Sequence, residues 1–158
     1  MARKRITPSR LRWLMNSYPP LLFAGVRVTE FSPDWRRASV RLRLTRWNRN
    51  YVGTQFGGSL FAMTDPFWMI MMMNRLGPEY IVWDVAAQID FVSPGRGDVF
   101  ATFELDDERV AAVRAAADRQ PKHLEWFEAD VTMADGTVVA RVRKQLYVRR
   151  KDAQRMKV

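Results

Sequence analysis

The stretch GGSLFAMTDPFWMIMMMNRL, residues 57–76, is the longest apolar segment of the chain. Two glycines open it, and Gly77-Pro78 follows it in the manner of a helix C-cap. Residues 68–73 leave no polar stripe, so such a helix must be covered on nearly every side, by a sheet and by a second subunit. The stretch therefore predicts a long central helix over about residues 57–76.

Strands are predicted on both sides of this helix. A short helix with Thr7 as N-cap and Pro8 at its first position ends near Ser17, where Pro19-Pro20 stops it. Alternating apolar residues then mark six strands, with an Ala-rich helix over residues 106–119. The predicted strands cover about residues 26–31, 38–44, 80–92, 98–105, 122–133 and 137–149. This order predicts the α+β class with an antiparallel sheet.

The composition is typical of a single globular domain. The 158 residues are 47% hydrophobic and 27% charged, and no linker or repeat divides them. We therefore expect one domain over residues 1–158, with a basic tail over 150–158 that frays. The absence of cysteine excludes disulfides, thiolate metal sites and a cysteine nucleophile, and a single histidine, His123, excludes a histidine cluster. No metal site is expected.

Neither export nor a membrane span is predicted. The basic N-terminus lacks the apolar stretch of a secretory signal. The central apolar segment is interrupted by Asp65 and Pro66 and falls short of the roughly 18 residues that suggest a span. We expect a cytoplasmic protein.

The formal charge of +9 is unevenly distributed, because residues 1–50 hold 12 basic and only 2 acidic side chains. The basic surplus is open to three interpretations: a solvated face, contact with nucleic acid, or attraction of a small anion that carries phosphates. The chain lacks a helix-turn-helix pattern, a Gly-Phe-rich strand signature and an aromatic stacking platform. A nucleic-acid partner is therefore not expected.

Residues 50–65, NYVGTQFGGSLFAMTD, carry a more specific pattern. They resemble the signature of the phenylacetate-degradation type of hotdog-fold acyl-CoA thioesterases: Asn, two residues, Gly, two residues, His-Gly-Gly, and an Asp at the position of Asp65. Phe56 stands where that family has His, and this Phe-Gly-Gly variant is similar to a subgroup of thioesterase-like hotdog proteins mostly of unassigned function. The resemblance implies a hotdog fold, a curved antiparallel sheet of about six strands wrapped around one central helix.

The resemblance also implies roles for four residues. The N–H of Gly58, preceded by Gly57, would hold the thioester oxygen, since amides at a helix N-terminus are unpaired and glycine allows close approach. Asp65, two turns further on roughly the same face, would be the base or nucleophile. Asn50 would orient the carbonyl or the water. Each has a structural alternative: a tight turn into the helix for the glycines, a cap of the kink at Pro66 for Asp65, and a loop turn for Asn50.

Further residues are candidates for substrate binding. Gln55 and Thr64 could hold water, and Gln55 or Asn50 would have to replace the histidine, because Phe56 neither donates nor accepts a hydrogen bond. His123 does not fill this role, since it starts a distant predicted strand. The acyl chain would lie along Phe61, Trp68 and the methionines, most of which have core packing as the alternative.

Arginines are the candidates for the phosphates of coenzyme A. A guanidinium binds phosphate through two hydrogen bonds, which favours Arg96 in the turn over residues 94–97, and also Arg141 and Arg143. Taken singly, each is better interpreted as a solvated side chain. Coenzyme A enters only as part of the substrate, and no separate cofactor is expected.

The resemblance implies a site shared between two subunits, hence a homodimer or homotetramer whose isolated monomer is inactive. Two functions remain open. The first is hydrolysis of an acyl-CoA thioester to free acid and coenzyme A. The alternative, suggested by Phe56 and Pro66, is a non-catalytic protein that binds acyl-CoA or fatty acid.

Overall fold

Five helices and six strands make up the part of the chain that the structure, a computed structural model, describes: residues 6–151. Most of the predicted frayed tail, residues 152–158, lies outside this part. The helices are α1 Pro8–Ser17, α2 Pro19–Ala24, α3 Gly57–Ala62, α4 Phe67–Leu76 and α5 Asp107–Arg119. The strands are β1 Val26–Phe31, β2 Arg37–Leu42, β3 Tyr80–Phe91, β4 Val99–Glu104, β5 His123–Met133 and β6 Val138–Arg150.

All six strands join one antiparallel sheet in the order β1-β2-β4-β5-β6-β3. Each strand lies within two residues of its predicted bounds. Side chains alternate between the faces: in β4, Val99, Ala101 and Phe103 are buried, and their neighbours are exposed. The buried face covers the α3–α4 segment, so the predicted α+β architecture is confirmed. β3 and β1 form the two edges.

Aromatic side chains from helix and sheet meet in the core. Trp68 of α4 packs edge-on against Phe103, with ring centroids 4.8 Å apart, and stacks on Phe127 at 5.8 Å. Phe67 stacks on Phe103 at 4.8 Å. These contacts fix α4 against β4 and β5, and with it the position of the residues that precede α4.

The N-terminal segment differs from its prediction in one respect. Thr7 caps α1 as expected, accepting a hydrogen bond from the Arg10 amide at 3.4 Å. Pro19-Pro20 ends α1, but it also begins a second helix, α2, since proline fits the first turn of a helix, where its missing N–H is not needed. Gly25, with φ of +88°, ends α2 in the left-handed conformation. The result is a helical hairpin, α1–α2.

The central helix is also not continuous. It divides into α3 and α4, with residues 63–66 between them. Pro66 has no N–H to donate, and the two amides before it close tighter turns, Thr64 N to Phe61 O at 3.1 Å and Asp65 N to Ala62 O at 3.3 Å. One helix over 57–76 is thus corrected to two, and Asp65 lies at the break.

Asp98 joins the start of β4 to the end of β2. Its carboxylate accepts hydrogen bonds from the Leu44 amide at 2.9 Å and from Arg41 Nε at 2.8 Å. Burial alone would raise the pKa of Asp98, but these two donors outweigh burial and hold the pKa below its usual value of 3.8.

We expect Asp98→Asn to lower the free energy of unfolding at pH 7 by about 1–3 kcal/mol, because the charged hydrogen bonds are lost. A carboxylate with a lowered pKa stabilises the fold above its unfolded pKa near 3.8, and this contribution is lost as pH falls through the lower, folded value. Urea unfolding of variant and wild type should therefore differ at pH 7, begin to approach each other as the pH falls below 3.8, and converge below the folded pKa. Asp130→Asn, which removes one exposed ion pair with Arg141, is the control and should show almost no difference. A gap of equal size at every pH would contradict this account.

In the described residues 6–151, no helix has the length and hydropathy that crossing a membrane requires.

Candidate active site

Asp65 lies at the break between α3 and α4, with 64% of its side chain exposed. One carboxylate oxygen, Oδ1, accepts a hydrogen bond from Lys144 Nζ at 2.6 Å. The same nitrogen donates to the backbone carbonyl oxygen of Asp65, also at 2.6 Å. The carboxylate is therefore tethered through one oxygen and open to solvent on its other side.

Lys144 comes from β6, where it occupies a position that faces the helices. Its side chain is 1% exposed. Val142 and Leu146, two residues away on either side, share this buried face. A lysine buried this deeply needs acceptors for its three N–H groups, and the break in the helix supplies two of them.

Asp84 of β3 forms an ion pair with the same ammonium, its Oδ2 lying 3.3 Å from Lys144 Nζ. Burial raises the pKa of the Asp84 carboxyl, and the Lys144 ammonium only partly offsets this effect. Within residues 6–151, the other oxygen, Asp84 Oδ1, is buried and has no hydrogen-bond partner. Two carboxylates thus flank one buried ammonium, and of the two only Asp65 is largely exposed.

Sequence reasoning missed Lys144 and Asp84. The signal was present for the lysine: in the alternating pattern of β6, residue 144 falls on the same face as Val142 and Leu146. A charged residue in such a position requires a buried partner, and Asp65 was the acid of the central segment that needed one.

Asp65 and Gly58 line the same cavity, which has a volume of about 550 Å³. We call it the Asp65 cavity. Apart from these two residues its walls are mostly apolar, and the α1–α2 hairpin forms one of them. The remaining lining residues are Met15, Tyr18, Pro20, Leu21, Phe61, Ala62, Pro66 and Ile70. The structure therefore brings together two of the four predicted catalytic residues.

A second cavity, of about 480 Å³, adjoins the other glycine. Gly57, Asn50, Gln55 and Arg96 contribute to its lining, together with residues 91–95. We call it the Asn50 cavity. Consecutive residues at the start of α3, Gly57 and Gly58, thus face two different cavities.

Positions 57 and 58 favour glycine, because an aromatic ring lies against each of them and leaves little room for a side chain. A Cβ atom on Gly58 would come within 2.5 Å of Phe56 Cε1, and one on Gly57 within 2.9 Å of Phe91 Cζ. Phe56 O accepts hydrogen bonds from Ser59 N and Leu60 N, both at 3.0 Å. Within residues 6–151 the Gly58 amide makes no hydrogen bond, as expected at a helix N-terminus.

Asn50 organises its own loop. Its Nδ2 donates to Thr54 Oγ1 at 2.9 Å and to Gln55 O at 3.2 Å, while its Oδ1 accepts from the amides of Val52 and Thr54. These contacts correspond to the loop-turn alternative for Asn50. A role on the substrate carbonyl stays a prediction.

Gln55 and Thr64 are buried, and both side chains donate hydrogen bonds to the backbone, although within residues 6–151 Gln55 Oε1 has no partner. Gln55 Nε2 donates to the carbonyl oxygens of Leu42 and Gly97 at 3.2 and 3.0 Å. Thr64, which lines neither cavity, donates its hydroxyl to Phe61 O at 2.8 Å. The structure therefore does not place Thr64 where it can hold a water for the reaction.

The predicted acyl-chain contacts divide into two groups. Phe61 lines the Asp65 cavity, with Met15 and Ile70. Trp68, Met71 and Met72 instead belong to the hydrophobic core, Met69 packs against it, and Met73 is exposed. Phe56, predicted to contact substrate, is 54% exposed and lies over Gly58.

The arginines predicted to bind phosphate lie apart from one another. Arg96 is exposed at the Asn50 cavity. Arg141 and Arg143 are exposed on the sheet face opposite Lys144, where Arg143 Nε contacts Glu128 at 2.8 Å. In one subunit the structure does not bring Arg141 and Arg143 to either cavity, because strand alternation points them away. His123 lies next to Glu125, at 3.0 Å, remote from this region as expected.

In residues 6–151 no group of three or more His, Asp and Glu side chains has the arrangement of a metal site.

Comparisons with known proteins identify the fold. A structure of a Pseudomonas aeruginosa protein of unknown function, named as a probable thioesterase, superimposes with a TM-score of 0.81 at 21% identity, covering 90% of this chain and 96% of that one. A Haemophilus influenzae thioesterase matches with a TM-score of 0.66 at 14% identity, covering 93% of each chain. The E. coli PaaI protein from the phenylacetic acid degradation operon matches with a TM-score of 0.62 at 16% identity, covering 88% and 90%. The chain therefore has the hotdog fold that the sequence resemblance implied.

Comparison of sequences shows to which family the chain belongs. Among curated proteins, none matches this chain. One family model, a domain of unknown function named DUF4442, matches residues 8–148, which is most of the chain and includes both cavities. The protein is thus a hotdog-fold member of the DUF4442 family.

Proposed function

We propose that this protein is an acyl-CoA thioesterase that hydrolyses a thioester to a carboxylic acid and coenzyme A. One observation carries the proposal: an exposed carboxylate, Asp65, and a helix N-terminal glycine amide, Gly58, line the same mostly apolar cavity. The names of several proteins with the same fold, which include thioesterases, support it.

The proposed reaction assigns one task to each group. The thioester oxygen accepts a hydrogen bond from the Gly58 amide, which stabilises the negative charge that develops as water attacks the carbonyl carbon. Asp65 takes a proton from that water as the new C–O bond forms. The C–S bond then breaks, and the departing sulfur takes the proton from Asp65, so that one water yields one acid and one thiol.

The two cavities suggest where the two halves of the substrate bind. Gly58 lines the Asp65 cavity and Gly57 lines the Asn50 cavity, so a thioester held at the start of α3 would lie between the two cavities. We assign the acyl chain to the apolar Asp65 cavity and the coenzyme arm to the Asn50 cavity. Arg96, exposed at the second cavity, is the proposed contact for a coenzyme phosphate.

A second subunit completes the proposed assembly. β3 is a long edge strand that exposes Trp83, Val85 and Phe91, and an unpaired edge of this kind pairs readily with another strand. Phe91 also lines the Asn50 cavity. Pairing of β3 with its copy would therefore extend the sheet and place partner residues beside the proposed coenzyme site.

Phe56 favours a second candidate function. Its ring lies over Gly58, and it has no group that donates or accepts a hydrogen bond. If the ring keeps the thioester oxygen from the Gly58 amide, the protein binds acyl-CoA or fatty acid in the same cavity without hydrolysing it.

A panel of acyl-CoA thioesters, with release of free thiol as the readout, separates the two functions. We expect turnover of aliphatic acyl-CoA substrates that fit the Asp65 cavity, since its walls are apolar. Saturable binding of the same compounds without thiol release would establish the binding protein instead. Neither turnover nor binding would exclude both.

The substitution Ile70→Trp tests where the acyl chain binds. Ile70 lines the Asp65 cavity, so a larger side chain there should shift the preferred substrate to shorter chains. Met73→Trp, an exposed position on the same helix that does not line the cavity, is the matched control. Unchanged chain-length preference in Ile70→Trp would place the acyl group elsewhere.

A further inference from the structure

We propose that Lys144 is a positioning residue that holds the Asp65 carboxylate in its reactive orientation. This inference rests on the proposed thioesterase function and deepens it. Lys144 belongs to β6 and reaches the proposed active site from the sheet. It lies outside the sequence motif of residues 50–65.

Two hydrogen bonds and one ion pair hold the ammonium of Lys144. Nζ donates to Asp65 Oδ1 and to Asp65 O, each at 2.6 Å, and Asp84 Oδ2 lies 3.3 Å away. A fully buried ammonium is costly unless it is paired, and here it has two hydrogen-bond acceptors and a second carboxylate beside it. The lysine head is therefore fixed in one place.

Both hydrogen-bond acceptors belong to the same residue, Asp65. Nζ binds both the backbone carbonyl and the carboxylate of Asp65. The ammonium therefore links the side chain to its own backbone and restricts rotation of the side chain. Oδ1 is occupied by this contact, which leaves Oδ2 to accept the proton from water. Without the tether, a carboxylate that is 64% exposed is free to turn into solvent.

Pro66 explains why the tether can form at this point. The proline separates α3 from α4, so the Asp65 carbonyl lies at an irregular turn where a side chain from the sheet reaches it. The break at Pro66 thus allows Lys144 to bind Asp65, and this contact sets the orientation of the carboxylate.

Asp84 supports the lysine from the other side. It carries a second negative charge next to Nζ and lies on the neighbouring strand, β3. Removing Lys144 alone would leave the half-buried Asp84 without its counter-ion, which destabilises the fold independently of any effect on Asp65. A test of positioning must therefore restore the volume of the side chain and vary only its charge.

The chain contains no cysteine, which makes such a test possible. In Lys144→Cys, the single thiol is alkylated in denaturant and the protein is refolded. Treatment with 2-bromoethylamine gives a thioether of lysine's length that ends in an ammonium, and 1-bromopropane gives one of equal length that ends in a methyl group. The two products differ only in the charged, donating end.

We expect the propyl form to have kcat about 100-fold below wild type with KM nearly unchanged, since small misplacements of a catalytic group cost about this much. The aminoethyl form should recover most of the wild-type kcat. Lys122→Met, which removes an exposed lysine, should have no effect. Equal kcat in the two alkylated forms, once both are shown to be folded, would overturn the proposal.

A second measurement tests the tether even if the protein hydrolyses no thioester. The chain has five lysines, and we expect one slowly exchanging ammonium signal in ¹⁵N NMR, identified by its loss in Lys144→Met. In Asp65→Asn this signal should shift, because one charged acceptor is replaced. If wild type shows no protected ammonium, or if its signal is unchanged in Asp65→Asn, the tether is wrong, whatever the screen finds. Failure of the thioesterase screen with the tether intact would instead refute only the proposed function.

Discussion

Asp65→Asn should reduce kcat for acyl-CoA hydrolysis by about 10²–10⁴-fold, the usual contribution of a general base. An amide has nearly the shape of the carboxylate, and its oxygen still accepts a hydrogen bond from Lys144. It cannot, however, take a proton from the attacking water. Because Asp65 acts on the water rather than on the bound substrate, KM should change little.

The measurement is release of free thiol from the best substrate of the panel, with kcat and KM determined separately. Glu108→Gln, which removes one exposed carboxylate on α5, is the control for a change of charge and should retain full activity. Thermal unfolding shows whether each variant is folded. Undiminished hydrolysis by a folded Asp65→Asn protein would remove Asp65 from the mechanism and, with it, the proposed reaction.

A loss of kcat in this variant has a clear physical interpretation because Asp65 is not part of the core. It lies at a helix break and is largely exposed, so its replacement leaves the packing of Trp68 and Phe67 in place. Removal of a charge next to Lys144 leaves Asp84 as a remaining counter-ion at 3.3 Å. We therefore expect Asp65→Asn to lose activity while its stability stays nearly unchanged.

The strands could be predicted from the sequence because their signal is local. Alternation of buried and exposed residues in β4 and in β6 requires no knowledge of the partner strand. The same local reasoning failed at Pro19-Pro20, where proline both ends α1 and begins α2. At Pro66 it indicated a kink but not the division into two helices, since the helix pattern continues on both sides of the proline.

The sequence could predict that two candidate site residues lie near each other where they belong to one helical segment. Gly58 and Asp65 are seven positions apart, and helical geometry brings them to one cavity despite the break. Lys144 and Asp84 come from strands that are distant in sequence, and only the register of β3 with β6 brings them close. Arg141 and Arg143 lie on strand positions that face away from both cavities of their own subunit, and their contact with phosphate stays a prediction.

The largest effect on stability is expected at Trp68. Its side chain is 1% exposed and contacts Phe103 and Phe127 at once, so Trp68→Ala deletes the side chain that joins α4 to two strands. Burial of apolar area is lost and a cavity remains, which together cost about 3–5 kcal/mol. Against a total stability of about 5–15 kcal/mol for a typical domain, the loss is large enough to lower the urea midpoint strongly.

Trp47→Ala is the matched control, because Trp47 is 97% exposed and its removal should change the free energy of unfolding by less than about 0.5 kcal/mol. Both variants are compared with wild type by urea unfolding at one protein concentration, so that any subunit association contributes equally. An unchanged slope with a lower midpoint identifies a loss of packing rather than a change in the unfolded state. If Trp68→Ala were no less stable than Trp47→Ala, α4 would not be fixed to the sheet through this side chain. The position of Asp65, which depends on where α4 begins, would then need another explanation.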